Sequence, residues 1–230
     1  FEHMQHNGIS PNSVTFVSCL KACSSLRDKD KGEKIHAEVE RIGLLGKDLT
    51  VGNTLVDMYA KCGVMCKAQE VFDKLQLKDV VSWNAVITCY SQLGDCVNAF
   101  VTFENMIREA VHPDSFTYFS VLNVCSHSGL PEDGYMFFTS INSNHILNPT
   151  PEHYTCIVDL LLRAERINEA IRVIENMPKH PCLPMWHATL GACEKSGNVA
   201  LGREAFKHTV ELNDTDSTAY VAMSNTFAVG

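Results

Sequence analysis

Basic residues are in deficit. Lys and Arg number 19 against 27 Asp and Glu, a formal net charge of -8. That balance argues against a protein that grips nucleic acid by bulk electrostatics, although an acidic exterior is compatible with a basic stripe inside a groove. Long apolar runs are also lacking. One long stretch free of Asp, Glu, Lys and Arg runs from Ser115 to Pro131, and it holds Thr117, Asn123 and His127, so no membrane span is expected. No Cys-x-x-Cys occurs. His36-Ala37-Glu38 is thereby only half of the zinc deaminase signature, without the thiolate pair that would hold the metal. Gly-rich phosphate loops and Ser/His/Asp arrangements of the usual spacing are absent, so no catalytic constellation, cofactor, metal or small-molecule substrate is expected. The chain opens Phe1-Glu2-His3-Met4, with no charged leader or Arg-rich presequence and partway through a pattern; a fragment of a longer protein is expected.

Ten cysteines are present, spread along all 230 residues without the tight spacing of a disulfide framework, and they read as buried thiols. Hydrophobic content of 45% and charged content of 20% are those of a folded soluble chain.

Periodicity carries most of the information. Related segments start at Ser13, Leu49, Val80, Ser115, Pro151 and Leu183, at intervals of 36, 31, 35, 36 and 32 residues, and a seventh starts at Ser217, 34 residues further on. This period belongs to stacked helical pairs. The fourth position of the units reads Phe16, Gly52, Trp83, Tyr118, Tyr154, Trp186, and the eighth Leu20, Val56, Ile87, Leu122, Val158, Leu190. Four residues apart, these columns form the seam of a first helix. The twentieth position is small throughout (Gly32, Ala68, Ala99, Gly134, Ala170, Gly202), and four residues later come His36, Phe72, Phe103, Phe138, Ile174 and Phe206. These two columns predict a second helix that needs a small residue where it crosses its partner and a bulky one a turn later. His36 stands in the bulky column and reads as packing. Cys23, Cys125 and Cys193 share the eleventh position with Tyr59, Tyr90 and Leu161, and read the same way.

Val80-Val81-Ser82-Trp83-Asn84-Ala85-Val86-Ile87, Val51-Gly52-Asn53-Thr54-Leu55-Val56-Asp57-Met58-Tyr59-Ala60-Lys61-Cys62-Gly63 and Thr15-Phe16-Val17-Ser18-Cys19-Leu20-Lys21-Ala22-Cys23 strongly resemble plant pentatricopeptide repeats. The alternation of lengths resembles the subclass built from long, short and standard repeats. In that reading residues 1–12 end a truncated repeat, 13–48 are long, 49–79 short, 80–114 standard, 115–150 the last long and 151–182 the last short repeat. Residues 183–216 resemble the first repeat of the family's E-type extension, and 217–230 the start of a second. The resemblance implies an all-α fold, a right-handed α-solenoid superhelix of helix-turn-helix repeats. It also implies sequence-specific binding of single-stranded organelle RNA, one base per repeat, as the recognition part of a C-to-U editing factor in the mitochondrion or chloroplast. The deaminase would lie outside these residues or be supplied in trans.

The family's base readers are the fifth and last residues of a unit. They fall on Asn53 with Asp79, Asn84 with Asp114, and Thr155 with Cys182, while the truncated first unit contributes Asn12. The two Asn/Asp pairs resemble the uridine reader. Val17 with Asp48 and Phe119 with Thr150 lack a small polar fifth residue, so weak or no base selection is expected there. Second-position residues Val14, Thr50, Val81 and Phe116 are the stacking candidates; Thr50 is the polar one, and Glu152 does not suit the role. The thirteenth position contributes Lys61, Arg163 and Lys195 as candidate phosphate contacts, or else as a solvated face. Accessory editing proteins are the partners implied at the long repeats and the E-like region. A docking solenoid with little RNA affinity of its own is the alternative reading.

Overall fold

The computed structural model describes residues 1, 4, 6–143, 147–178 and 182–229, with the side chains of 142, 143 and 229 excepted; residues 2, 3 and 5 of the 1–12 tail, and residue 230, lie outside. Between Ser13 and Val229 the described residues form thirteen α-helices and no strand. In order these are α1 (Ser13–Leu26), α2 (Lys29–Arg41), α3 (Leu49–Lys61), α4 (Met65–Lys74), α5 (Val80–Leu93), α6 (Cys96–Arg108), α7 (Ser115–Ser128), α8 (Pro131–Ser143), α9 (Pro151–Arg163), α10 (Ile167–Glu175), α11 (Leu183–Ser196), α12 (Val199–Leu212) and α13 (Ser217–Val229). Odd-numbered helices open each hairpin and even-numbered ones close it, an all-α solenoid architecture. Two compact units result, Phe1–Ser120 and Val121–Gly230.

Capping starts the helices. Asn12, Asp48 and Asp79 accept backbone N–H groups of the first turns of α1, α3 and α5, and Asp28, Asp95 and Asn198 do the same for α2, α6 and α12. Each satisfies at least one of the donors that a helix start leaves unpaired. At the other end of α5, Gly94 takes φ 69° and its N–H bonds back to the last turn, a left-handed conformation that glycine adopts without strain.

Within the first unit, α1 packs on α3 and α3 on α5, each beside its own second helix. The seam residues Phe16, Leu20, Val56, Trp83, Ile87 and Tyr118 are buried. The bulky column meets the aromatic column of the next hairpin edge-on: Phe72 lies against Trp83 at 4.8 Å and Phe103 against Tyr118 at 5.7 Å between ring centroids. Such pairs are worth about 0.5–1.5 kcal/mol beyond the area they bury. Gly52 is the gap in the aromatic column, and Leu75 and Leu45 fill the space; a Cβ there would stand 2.5 Å from Leu75 Cδ2. His36 is a packing residue: its ring lies 5.5 Å from that of Tyr59, and its Nδ1 bonds the Tyr59 hydroxyl at 2.9 Å. Burial lowers its pKa and raises that of Tyr59.

The second unit repeats these contacts. Phe138 meets Tyr154 at 5.1 Å and Phe206 meets Tyr220 at 5.0 Å, both edge-on, while Trp186 stacks on His208 at 4.4 Å. A polar ladder accompanies the aromatic one. Ser126 donates to Asp159 at 2.7 Å and Asn225 to Glu194 at 2.8 Å, in each case joining the twelfth position of one hairpin and the ninth of the next. Ser24 and Asp57 are the first unit's version, at 3.5 Å.

Two expectations need correction. The small column serves chiefly the next hairpin rather than its own partner helix: a Cβ on Gly32 would lie 2.5 Å from Met58 Sδ, one on Gly134 2.3 Å from Leu160 Cδ2, and one on Gly202 3.2 Å from Thr226 Cγ2. The cysteines are not uniformly buried either. Cys23, Cys89, Cys125 and Cys193 are, with burial pushing the Cys89 and Cys193 thiols up to about 11, but Cys66 and Cys182 are exposed. The space around each glycine predicts opposite signs for two substitutions, one inside the small column and one outside it. Gly134→Val is expected to cost about 2–3 kcal/mol by overpacking against Leu160. Gly191→Ala, where an added Cβ meets nothing within 4 Å, is expected to gain about 0.5–1 kcal/mol from helix propensity. Urea unfolding of the two variants beside the parent chain checks both.

Candidate nucleic-acid interface

Two Asn/Asp pairs are built by the same local chemistry. Asp79 closes its unit and caps α5, so its position is fixed by the helix start, while Asn53 faces it from α3 of the preceding hairpin. Asn53 Nδ2 donates to Asp79 Oδ1 at 3.1 Å. One hairpin later, Asn84 Nδ2 donates to Asp114 Oδ1, also at 3.1 Å. Asp79 therefore works with Asn53 across a hairpin junction, and Asn84 with Asp114.

Each pair has a third member that the repeat columns did not single out. Ser82 and Thr117, third residues of the following units, complete reciprocal capping boxes: Ser82 N–H donates to Asp79 Oδ1 at 2.9 Å and Asp79 N–H to Ser82 Oγ at 3.2 Å, with 2.8 and 3.1 Å for Thr117 and Asp114. The same hydroxyls donate to Asn53 Oδ1 at 2.7 Å and Asn84 Oδ1 at 2.6 Å. The sequence signal was present, because a hydroxyl residue three after a capping Asp is half of a capping box. Partial burial alone would raise the Asp79 pKa; the hydrogen bonds from Ser82 and Asn53 outweigh it, and the carboxyl sits below its usual range. It stays ionised near neutral pH, an acceptor only.

Both pairs line one cavity of about 670 Å³ in the first unit. Thr50, Val81 and Phe116 line it too, and the apolar two are 55% and 51% exposed. A residue with a large exposed apolar side chain beside a polar pair is what a stacking contact to a flat base needs. Val14 is likewise exposed on α1, though it does not line this cavity. Asn12 accepts Thr15 N–H and Thr15 Oγ1–H, both at 2.9 Å. Lys61 also lines the cavity and pairs with Asp57 at 2.9 Å, and Arg163 pairs with Asp159 at 3.1 Å; Lys195 is exposed. An exposed i,i+4 pair contributes only about 0.3–0.5 kcal/mol, so Lys61 or Arg163 can exchange its carboxylate for a phosphate at little cost.

The second unit departs from the columns. The Thr155 hydroxyl turns back to Pro151 O at 2.9 Å and Cys182 is exposed without a capping bond, so these two are not brought together. Instead His187, fifth in its unit, bonds through Nε2 to Asp216, the last. Asp216 Oδ1 also accepts Thr218 N–H at 3.0 Å. Burial pushes the Asp216 carboxyl up, but its bonds to His187 and to the backbone of Thr218 and Ala219 bring it below the usual range. The fifth-and-last contact thus recurs in residues 183–216. Among the described residues, no His, Cys, Asp and Glu cluster could hold a metal ion.

Stacked hairpins in which closing residues such as Asp79 and Asp114 cap the next helix and reach the preceding fifth residue define a helical-repeat protein with recurring polar pairs. Residues 78–127 match the PPR repeat family, and residues 53–80 and 152–182 match the PPR repeat. The chain is 39% identical over 228 residues to a putative mitochondrial pentatricopeptide repeat-containing protein of Arabidopsis thaliana, covering 99% of this chain and 36% of that one. It is 40% identical over 219 residues to the chloroplastic pentatricopeptide repeat-containing protein CRR2 of the same plant, covering 95% and 33%. It is a pentatricopeptide repeat protein of plant type, homologous to these Arabidopsis proteins, and it spans about a third of their length. In structure it is similar to the maize pentatricopeptide repeat protein PPR10 in complex with an 18-nucleotide psaJ RNA element, with a TM-score of 0.72 at 17% identity over 98% of this chain and 34% of that one. That likeness is one of fold.

The Asp79 bonds predict a pH dependence. A carboxyl whose pKa is lowered by folding stabilises the protein above its unfolded value, near pH 4, and that contribution disappears as pH falls through the folded value. Asp79→Ala is expected to cost about 1–2 kcal/mol at pH 6 through the lost cap. The difference from the parent should shrink at pH 3, as read by urea unfolding.

Proposed function

We propose that this chain binds single-stranded RNA in a plant organelle, mitochondrion or chloroplast, and that it is the site-recognition part of a C-to-U RNA editing factor. The observation that carries the reading is the repetition of one constellation: Asn53/Asp79 and Asn84/Asp114 on successive hairpins, with Thr50, Val81 and Phe116 beside them in a single cavity. Repetition at the spacing of a hairpin suits a polymer with a flat, hydrogen-bonding group per repeat. The two pairs read adjacent bases, and both take uridine. Thr155 with Cys182 contributes weakly, since nothing holds the two together, and Asn12 supplies half of a further pair. Lys61, Arg163 and Lys195 follow the phosphates. This chain recognises the site; the deaminase acts from elsewhere. The RNA complex of the similar maize protein and the mitochondrial and chloroplastic names of the similar Arabidopsis proteins support the assignment.

In this scheme residues 13–48 and 115–150 are long repeats, 49–79 and 151–182 short, 80–114 standard, and 183–230 E-like. A second reading, docking of accessory proteins, draws support from large apolar side chains left exposed on α8 (Tyr135, Met136) and α13 (Tyr220, Val221, Phe227). These belong to the last long repeat and the end of the E-like region, where such partners are proposed to bind.

A fluorescence anisotropy titration tests the first reading with single-stranded RNAs in which two adjacent positions run through U, C, A and G. Tightest binding to the adjacent uridines is expected, and indifference to those two bases would count against it. Asn84→Thr with Asp114 retained should move the preference at one position toward a purine. Lys61→Gln is expected to weaken all RNAs alike and to reduce the slope of log affinity against log salt by about one. No binding of any RNA at either low or moderate salt favours docking.

A further inference from the structure

The hydroxyls of Ser82 and Thr117 join a helix cap to the asparagine of the preceding hairpin. Both side chains are wholly buried, at 0% exposure. Neither is among the residues lining the cavity that Asn53, Asp79, Asn84 and Asp114 line; they sit behind it. Each hydroxyl accepts the backbone N–H of its capping aspartate and has one proton left to give. Two acceptors are in reach: the aspartate Oδ1, at 2.9 Å for Ser82 and 2.8 Å for Thr117, and the asparagine Oδ1, at 2.7 and 2.6 Å. The aspartate Oδ1 already accepts a backbone N–H and the asparagine Nδ2–H. The shorter contact, to the amide oxygen, is where the proton goes.

This arrangement fixes which way each amide faces. An ionised carboxylate only accepts, so Nδ2 must face Asp79 or Asp114, and the amide oxygen then faces the hydroxyl. A reversed amide would set a carbonyl oxygen against a carboxylate and lose both bonds. Each amide is pinned at both ends, and what it retains for a ligand in the cavity is its second Nδ2 proton. Uracil and cytosine differ at C4: uracil carries an acceptor oxygen and cytosine an amino donor. A pinned N–H donates to the first and opposes the second, whereas an amide free to turn offers its oxygen to cytosine. The hydroxyl also follows the asparagine. The third residue of the next unit is Ser82 after Asn53 and Thr117 after Asn84, but Met185 after Thr155 and Ala219 after His187.

We propose that Ser82 and Thr117 are positioning residues for pyrimidine choice: each buried hydroxyl, supplied by the following hairpin, holds the preceding asparagine amide so that the cavity receives a donor, which selects uracil over cytosine. The proposal rests on the reading that Asn53 and Asn84 contact bases. Its test is an anisotropy titration of the chain, Thr117→Ala, Thr117→Ser and Ser82→Ala against single-stranded RNAs that differ only by U or C at the two adjacent positions, with circular dichroism to verify folding. Each Ala variant is expected to lower the U-to-C affinity ratio at one position by about tenfold, with a smaller change in affinity for uridine, and Thr117→Ser to keep the ratio. A folded Ala variant that keeps the ratio, or a Ser variant that loses as much as Ala, overturns the proposal. Uridine preference in the parent with unchanged variants overturns this proposal alone; no preference in the parent overturns the base-reading assignment as well. Should Thr117→Ala fail to fold, Ser82→Ala and a measurement on the parent remain. Side-chain amide hydrogen exchange of Asn84 should show one proton protected and one fast, and equal fast exchange of both overturns the pinning.

Discussion

The capping carboxylate is the interaction on which the first unit's interface depends. Asp79 must accept the orphan N–H groups of α5, and the same Oδ1 accepts Asn53 Nδ2–H from the hairpin before. One oxygen therefore ends a repeat, starts the next and orients the side chain that faces the cavity. The arrangement returns at Asp114 with almost the same distances. Because a cap is set by backbone geometry, the spacing between the two polar pairs is set by the length of a hairpin rather than by loops. A recognition surface on such a frame can be regular without any of its functional residues touching in sequence.

Packing reinforces the same register from the apolar side. Phe72 on Trp83 and Phe103 on Tyr118 lock each second helix to the next first helix, and Gly32 admits Met58 where no larger residue fits. A slip of one residue would break the aromatic contact, the close approach and the cap together. Polar and apolar contacts thus favour one stacking, which is how an array of weakly self-sufficient hairpins reaches a single structure. It also explains the tolerance of Gly52 in an aromatic column: Leu75 and Leu45 supply the missing volume from neighbouring turns.

The net charge of -8 weighs less against RNA than it first suggests. Exposed acids such as Asp57 and Asp159 are matched by Lys61 and Arg163 in pairs that contribute little. Their cost of exchange for phosphate is correspondingly small. Capping carboxylates such as Asp79 are committed to the fold, and contribute hydrogen-bond acceptors more than free charge.

Sequence by itself determined the fold class and much of the seam. A period near 34 with aromatic, aliphatic and small columns has one economical solution, stacked helical pairs, because no hairpin can bury its apolar face alone. The family resemblance implied Asn53 and Asp79 as partners although 26 residues separate them. Tertiary structure decided what columns cannot express. Ser82 and Thr117 stand in no column that the sequence singled out, yet they are buried behind the asparagines. Thr155 and Cys182 occupy the right positions and do not meet, because the Thr155 hydroxyl is satisfied by its own helix backbone and Cys182 makes no cap. His187 and Asp216 do meet. The physical reason is common to all three: hydrogen-bond partners across a hairpin junction depend on where each rotamer finds its nearest unsatisfied group, and that competition is settled only when the helices are stacked.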